Sequence, residues 1–176
     1  MLLAGLDIDF EVIVKPDITE EFPSGLGMKE IPVYLAESKS DNYTELLTEK
    51  VILITADTIV WHQDRLIGKP IDLDDAFQIL SNLSGDMHEV VTGVCLRSKN
   101  QKRVFYSHSK VFFRDLSSEE IRYYAQKYKP LDKAGAYGIQ EWIGYIGIEK
   151  IEGSFYNVMG LPTQQLYHEL FEFTRP

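Results

Sequence analysis

A chain of 176 residues, 44% of them hydrophobic and 12% aromatic, is long enough for one globular domain with a proper core. Its net charge of -9 argues against a duplex DNA binder or an anionic-membrane binder, but a few local lysines and a metal still suffice for a small phosphorylated ligand. The single cysteine, Cys95, excludes an intrachain disulfide and any zinc site built from cysteines. Acidic residues stand where a signal peptide needs its apolar core, so we expect a cytoplasmic protein.

The N-terminal part is predicted to contain a short helix end, a strand and a loop. Met1–Leu6 is typical of the last turns of a helix. Asp9–Val14 alternates between polar and apolar residues and then turns apolar, which predicts a strand. Residues 15–30 contain two prolines and two glycines and are predicted to form a loop. The acidic cluster in this loop, which includes Glu20, is open to two interpretations, a solvated surface or a binding site.

The next segment is predicted to be a helix from Pro32 to about Leu47, because proline suits the first helical turn. Lys39 lies four residues from both Leu35 and Tyr43, which places it on the inward apolar stripe. Such a lysine often extends its amine to the edge of the core. It can equally bind an anion, and the pattern leaves both interpretations open.

The central element is the apolar, β-branched stretch Val51–Val60, which predicts a strand buried on both faces. Asp57 lies near its end among aliphatic neighbours. Burial of an unpaired carboxylate costs roughly several kcal/mol, so this side chain requires donors, a metal or a proton. An aspartate that caps a turn or pairs with an arginine would meet the requirement. A functional site at the end of a central strand would also meet it.

The remaining chain alternates between strands and helices. The predicted elements are a hairpin partner at Leu66–Pro70, a helix from the cap Asp72 to Gly85, strands at His88–Arg97 and Arg103–Arg114, a helix from the capping box at Ser117 to Pro130, a strand at Trp142–Ile151, its continuation or a hairpin at Gly153–Val158, and a helix at Thr163–Phe173. Counted outward from the hairpin turn, Lys69 returns near the level of Asp57. The small residues between Leu131 and Gln140 allow another group to approach the backbone closely, or form a tight structural turn.

Seven short motifs together resemble one protein family. They are Ala56-Asp-Thr-Ile-Val60, Gly68-Lys-Pro70, Leu83-Ser-Gly85, Thr92-Gly-Val94, Asp132-Lys-Ala-Gly-Ala-Tyr-Gly-Ile-Gln140, Gly153-Ser154 and Asn157-Val-Met-Gly-Leu-Pro162. Their order and spacing resemble the Maf family of nucleoside triphosphate pyrophosphatases across nearly the whole chain. The Ala-Tyr-Gly-Ile-Gln form is similar to the branch that hydrolyses dTTP and UTP, rather than the branch that acts on 7-methyl-GTP.

The resemblance implies an α/β fold of the elongated, two-lobed type shared with inosine triphosphatases. A central mixed, bent sheet would be flanked by helices, and residues 1–176 would form a single domain with its site in a cleft between the lobes. It also implies a nucleoside triphosphate as substrate, a homodimer as the assembly, and a link to septum formation. Neither nucleic acid nor membrane is an expected partner.

The resemblance also implies a reaction in which water attacks the α-phosphate and releases a nucleoside monophosphate and pyrophosphate. Asp57 matches the proton acceptor and, together with Glu20, the ligands of a Mg²⁺ or Mn²⁺ ion. Two oxygen donors suit Mg²⁺, which keeps much of its hydration. Lys39 and Lys69 match phosphate-binding positions. Lys133 is a further candidate, either for phosphate contact or for structure.

Thr58 and Gln140 match family positions that select the base. A carboxamide offers one donor and one acceptor, which complement the N3–H and carbonyl edge that uracil and thymine share. This edge does not by itself distinguish dTTP from UTP.

The chain departs from the family at its start. Family members begin with a strand and then Ser-x-Ser-Pro-Arg-Arg, which binds phosphate at a helix N-terminus. We expect this segment to be lost here through truncation or a misassigned start, which would weaken triphosphate binding and expose a sheet edge. A non-catalytic nucleotide-binding module, or a cell-division regulatory module, therefore stays open as the alternative to an enzyme.

Overall fold

The computed structural model describes residues 2–16 and 20–175. Its strands are β1 (Leu53–His62), β2 (Arg65–Ile67), β3 (Met87–Arg97), β4 (Lys102–Phe113) and β5 (Ile148–Glu152). Its α-helices are α1 (Glu30–Asp41), α2 (Leu73–Leu83), α3 (Ser118–Tyr128), α4 (Trp142–Gly147), α5 (Phe155–Val158) and α6 (Thr163–Thr174). Short 3-10 turns cover Leu2–Leu6, Thr44–Leu46 and Ala134–Ala136.

The five strands form one sheet in the order β2-β1-β3-β4-β5. β2 pairs antiparallel with the end of β1, from Val60 opposite Ile67 to His62 opposite Arg65. β5 pairs antiparallel with β4, and the register is irregular at Phe112 and Phe113. The predicted α/β class is confirmed. No helix in the described part of the chain is long and apolar enough to cross a membrane.

Contacts divide the chain into two compact units. The first unit comprises residues 1–58, 92–107 and 160–176, and within it α6 packs against the N-terminal 3-10 turn. Its core centres on Val94 and Leu96 of β3 and on Leu166 and Phe173 of α6.

The second unit comprises residues 59–91 and 108–159. Its core is formed largely by the apolar faces of α2 and α3, which pack against each other, together with residues 136–143. A buried aromatic group adds to it: His88 Nε2 is hydrogen-bonded to the Tyr137 hydroxyl at 2.7 Å, and the Phe113 ring lies beside both. Burial lowers the pKa of His88 to about 3, so this imidazole is neutral at physiological pH.

Several predicted helix boundaries are confirmed because local hydrogen bonds determine them. Asp72 accepts a hydrogen bond from the Asp75 amide at 2.8 Å and caps α2. Ser117 and Glu120 form the expected capping box at the start of α3. The first long helix ends at Asp41, earlier than predicted, and a 3-10 turn follows.

The predicted strand at Asp9–Val14 is wrong. The segment has no regular secondary structure, and within the described residues it joins no sheet. Residues 9–13 of it line a cavity of about 840 Å³, together with residues 51–56 and others. An alternating sequence predicts a strand only where a neighbour supplies hydrogen bonds. Here the Lys15 amide instead donates to the Tyr43 hydroxyl at 3.0 Å, which fixes the end of the segment.

The predicted strand at Trp142–Ile151 is also wrong over its first half, which is α4. The Gly144 amide donates to the Glu141 carbonyl at 2.9 Å, and a Cβ at Gly144 would lie 1.8 Å from the Ile139 carbonyl oxygen. This close backbone approach favours a helical turn, whereas apolar periodicity alone suited a strand. Likewise, Phe155–Val158 is a helical turn capped by Ser154, not a continuation of the strand or a hairpin.

Helix α1 lies against β3 at Gly93. A Cβ at Gly93 would lie 2.2 Å from the Pro32 carbonyl oxygen and 2.4 Å from the Val33 amide nitrogen. The Thr55 hydroxyl of β1 donates to the Ala36 carbonyl at 2.6 Å. These two contacts fix the position of the helix on the sheet within the first unit, and they thereby position Lys39.

We expect Gly93→Ala to destabilise the protein by about 3 kcal/mol, the upper end for overpacking, because the added methyl meets backbone rather than a movable side chain. Gly5→Ala is the control, since a Cβ there meets nothing within 4 Å. Urea unfolding of both variants measures the difference. Equal midpoints for the two variants would contradict the proposed contact.

Candidate active site

Three of the predicted site residues meet in the first unit. Lys39 extends from α1, Asp57 lies on β1, and Glu20 lies in the segment before α1. The Lys39 amine donates to Glu20 Oε1 at 2.9 Å and also to Asp57 Oδ1. The Asp57 side chain is only 10% exposed, whereas that of Glu20 is 45% exposed.

The electrostatics of this cluster follow from its burial. Burial alone would lower the pKa of Lys39, but hydrogen bonds and charge from Asp57 and Glu20 outweigh it and raise the pKa. Lys39 is therefore a cation at physiological pH. Both interpretations of Lys39 from the sequence placed it on the inward side of the helix, and the structure agrees.

The same cluster offers oxygen donors to a divalent cation. Oxygens of Asp57 and Glu20 both lie within hydrogen-bonding distance of one nitrogen, so the two carboxylates converge on one point. Carboxylates completed by water are the ligands that Mg²⁺ uses. Among the described residues no group of three or more histidine, cysteine, aspartate or glutamate side chains is arranged for a metal. Two carboxylates alone would leave most of the coordination shell of a Mg²⁺ ion to water.

Thr58 is held by the scaffold of the first unit. Its hydroxyl is hydrogen-bonded to the Thr92 hydroxyl at 2.8 Å and donates to the Gly160 carbonyl at 3.4 Å. Sequence reasoning quoted Thr92 within a motif but gave it no role. A threonine within the apolar run from Val90 to Leu96 of β3 was the available signal, and the structure shows that it is buried.

The second unit places Lys69 and Lys133 around one carboxylate. Lys133 donates to Asp132 at 2.8 Å. This hydrogen bond and, to a smaller extent, the charge of Lys69 lower the pKa of Asp132. The Gly135 amide donates to the Gly68 carbonyl at 3.1 Å, which ties the two lysine-bearing segments together.

Gly135 allows this close approach. Its φ of +72° is a conformation that favours glycine, and a Cβ there would contact the Val60 side chain at 3.0 Å. The block is therefore the tight structural turn that was one of the two interpretations, and it also brings its backbone close to Gly68. Gln140, five residues later, is exposed, whereas Ile139 before it is buried.

The fold and the site define an α/β protein with a cluster of one lysine and two carboxylates at α1 and β1, and with a pair of lysines beside a glycine turn. A family model described as Maf-like protein matches residues 1–173, and the chain belongs to the Maf family. The resemblance stated from the motifs is thereby confirmed.

Curated relatives are similar over nearly the whole chain. A protein of Parabacteroides distasonis named dTTP/UTP pyrophosphatase is 55% identical over 172 residues, which cover 98% of this chain and 89% of the relative. A protein of Porphyromonas gingivalis with the same name is 51% identical, and the match covers 98% of this chain and 87% of the relative. A protein of Bacteroides thetaiotaomicron, again with that name, is 51% identical, and the match covers 96% of this chain and 88% of the relative.

We expect Asp57→Asn to lower the pKa of Lys39 relative to the unchanged protein, because burial is then opposed by one carboxylate instead of two. Lysine Cε shifts followed by NMR against pH measure this. Asp74→Asn, an exposed carboxylate of α2, is the control.

The same pair predicts a pH dependence of stability. Because folding raises the pKa of Lys39, its stabilising contribution is complete below its ordinary pKa of 10.5 and is lost as pH rises through the folded value. The free energy of unfolding of Asp57→Asn should therefore change less with pH above 10.5 than that of the unchanged protein. Parallel curves for the two proteins would contradict the pairing.

Proposed function

We propose that this chain is a nucleoside triphosphate pyrophosphatase that hydrolyses dTTP and UTP to the monophosphate and pyrophosphate. The observation that supports it most is the convergence of Asp57, Glu20 and Lys39. The chain presents this cluster on a scaffold about half identical to proteins named dTTP/UTP pyrophosphatase.

Asp57 is the proposed general base. The oxygen of a water molecule attacks the α-phosphorus, the bond from that phosphorus to the α,β-bridging oxygen breaks, and pyrophosphate leaves with the electron pair. The proton of the attacking water passes to the Asp57 carboxylate. A positioned base of this kind contributes about 10²- to 10⁴-fold to the rate.

Asp57 and Glu20 would together hold the divalent cation, Mg²⁺ or Mn²⁺. When bound, the cation supplies charge neutralisation for the triphosphate and its developing leaving group. This contribution matters in a chain with a net charge of -9, because the substrate is itself an anion.

Lys39 is proposed to bind phosphate. An ammonium group has three N–H donors. Two of them face Asp57 and Glu20, and the third can donate to a phosphate oxygen. Before substrate binds, the positive charge of Lys39 offsets the negative charge of the carboxylates. After substrate binds, it offsets the negative charge of the phosphate.

Lys69 and Lys133 are proposed to bind phosphate oxygens through their amines. The Gly135–Gly68 hydrogen bond keeps the two lysine-bearing segments together. Gln140 is proposed to read the donor and acceptor edge of uracil or thymine with its carboxamide. Thr58, whose hydroxyl is anchored by Thr92, is proposed to support base selection.

The experiment is pyrophosphate release from dTTP, UTP, CTP and GTP with Mg²⁺. It is run on the 176-residue chain and on a form preceded by a relative's Ser-x-Ser-Pro-Arg-Arg segment. We expect dTTP and UTP to be preferred, and Asp57→Asn to lower kcat by about 10²- to 10⁴-fold while the fold persists. Absence of turnover in both forms contradicts the enzyme, and preference for GTP contradicts the pyrimidine assignment.

A second arm tests the cation site with neighbouring variants. Glu20→Gln removes a carboxylate charge from the cluster and should raise the Mg²⁺ concentration needed for half-maximal rate by about tenfold. Glu21→Gln, a change in the adjacent exposed side chain, is the matched control and should leave it unchanged. Identical Mg²⁺ curves for both variants would remove Glu20 from the proposed metal ligands.

A further inference from the structure

A buried tyrosine holds the turn that precedes Gln140. The Tyr124 hydroxyl, on α3, accepts a hydrogen bond from the Gly138 amide at 3.0 Å. The same hydroxyl donates to Glu141 Oε2. Tyr124 is fully buried, and its ring stacks on that of Tyr128 with the centroids 5.0 Å apart. The hydroxyl is therefore a fixed point that binds the chain on both sides of Gln140.

Glu141 has the position of a helix cap but does not act as one. It is the N-cap residue of α4, yet its carboxylate makes no capping hydrogen bond. The side chain turns back instead, so that a Cβ at Gly138 would lie 2.9 Å from the Glu141 carboxyl carbon. Its second oxygen, Oε1, lies 3.4 Å from the Lys133 amine. Thus Glu141 links Tyr124 to a proposed phosphate-binding lysine.

These contacts restrain the backbone at Gln140. The Ile139 side chain on one side is buried, and the Glu141 carboxylate on the other is bound to Tyr124. The Glu141 amide also donates to the Gly138 carbonyl at 2.9 Å, which closes the turn. Gln140 itself is exposed, so its carboxamide is available to a ligand while its backbone is held.

We propose that Tyr124 and Glu141 are positioning residues that orient Gln140 toward the base of the substrate, an inference that rests on the proposed function. Neither side chain contacts the substrate in this proposal. Holding the carboxamide in place before binding reduces the ordering cost that binding must overcome. Loss of the hydroxyl should weaken recognition of uracil and thymine more than it affects the chemical step.

The test is a double-mutant cycle in whichever form turns over UTP. Tyr124→Phe keeps the ring and removes the hydroxyl, and it should raise KM for UTP by about tenfold, the size of a typical hydrogen bond, with kcat within about twofold. The preference for UTP over CTP should fall with it. In a Gln140→Ala background, Tyr124→Phe should have no further effect on KM or on that preference.

Tyr128→Phe is the matched control, because it removes a hydroxyl from the stacked neighbour on the same helix, and it should leave KM unchanged. Should Tyr124→Phe not fold, as judged by its thermal melt, Glu141→Ala takes its place in the same cycle. Additive effects of Tyr124→Phe and Gln140→Ala overturn the inference, because Tyr124 would then act on KM by a route other than Gln140.

The outcomes also separate this inference from the function on which it rests. An unchanged KM in Tyr124→Phe, with normal turnover by the unchanged protein, overturns the inference alone. Failure of the unchanged protein to hydrolyse any of the four triphosphates overturns the proposed function first, and this inference with it.

Discussion

The ion pair between Asp57 and Lys39 joins α1 to β1, which is second from the edge of the sheet. This strand is only partly buried at Asp57, and it is not the central strand buried on both faces that the sequence predicted. A carboxylate with a tenth of its side chain exposed loses most of its hydration, and the charge-assisted hydrogen bond from Lys39 offsets part of that loss. The lysine is available because α1 lies close against the sheet at Gly93. The backbone packing at Gly93 therefore fixes the position of Lys39 beside Asp57.

The second unit follows the same principle with different groups. Lys133 is neutralised by Asp132 and lies near Glu141, while Glu141 is bound by the Tyr124 hydroxyl. Burial is the largest cause that raises the pKa of Tyr124, and the hydrogen bond to Glu141 is the next largest. The phenol therefore stays protonated and remains a donor. In both units the lysines that could meet an anion already have carboxylate neighbours, which limits the cost of holding the charges partly buried.

Local chemistry could be predicted from the sequence, and tertiary neighbours could not. The capping box at Ser117 and the cap at Asp72 depend on side chains within a few residues of the backbone they bind. Within the described residues Asp9–Val14 has a strand pattern but no strand partner, and α4 brings Gly144 close to the Ile139 carbonyl, a contact that periodicity does not show. Motif resemblance indicated Gln140, but Glu141 beside it has a role that appears only once Tyr124 is placed in space.

The fixed contact at Gly93 also limits how the sequence can change length. Seven positions, nearly two helical turns, separate Pro32 at that contact from Lys39. One residue gained or lost between them would rotate the lysine by about 100° around the helix axis and turn it away from Asp57. Insertions and deletions in homologous genes should accordingly be purged from the interval that follows Pro32.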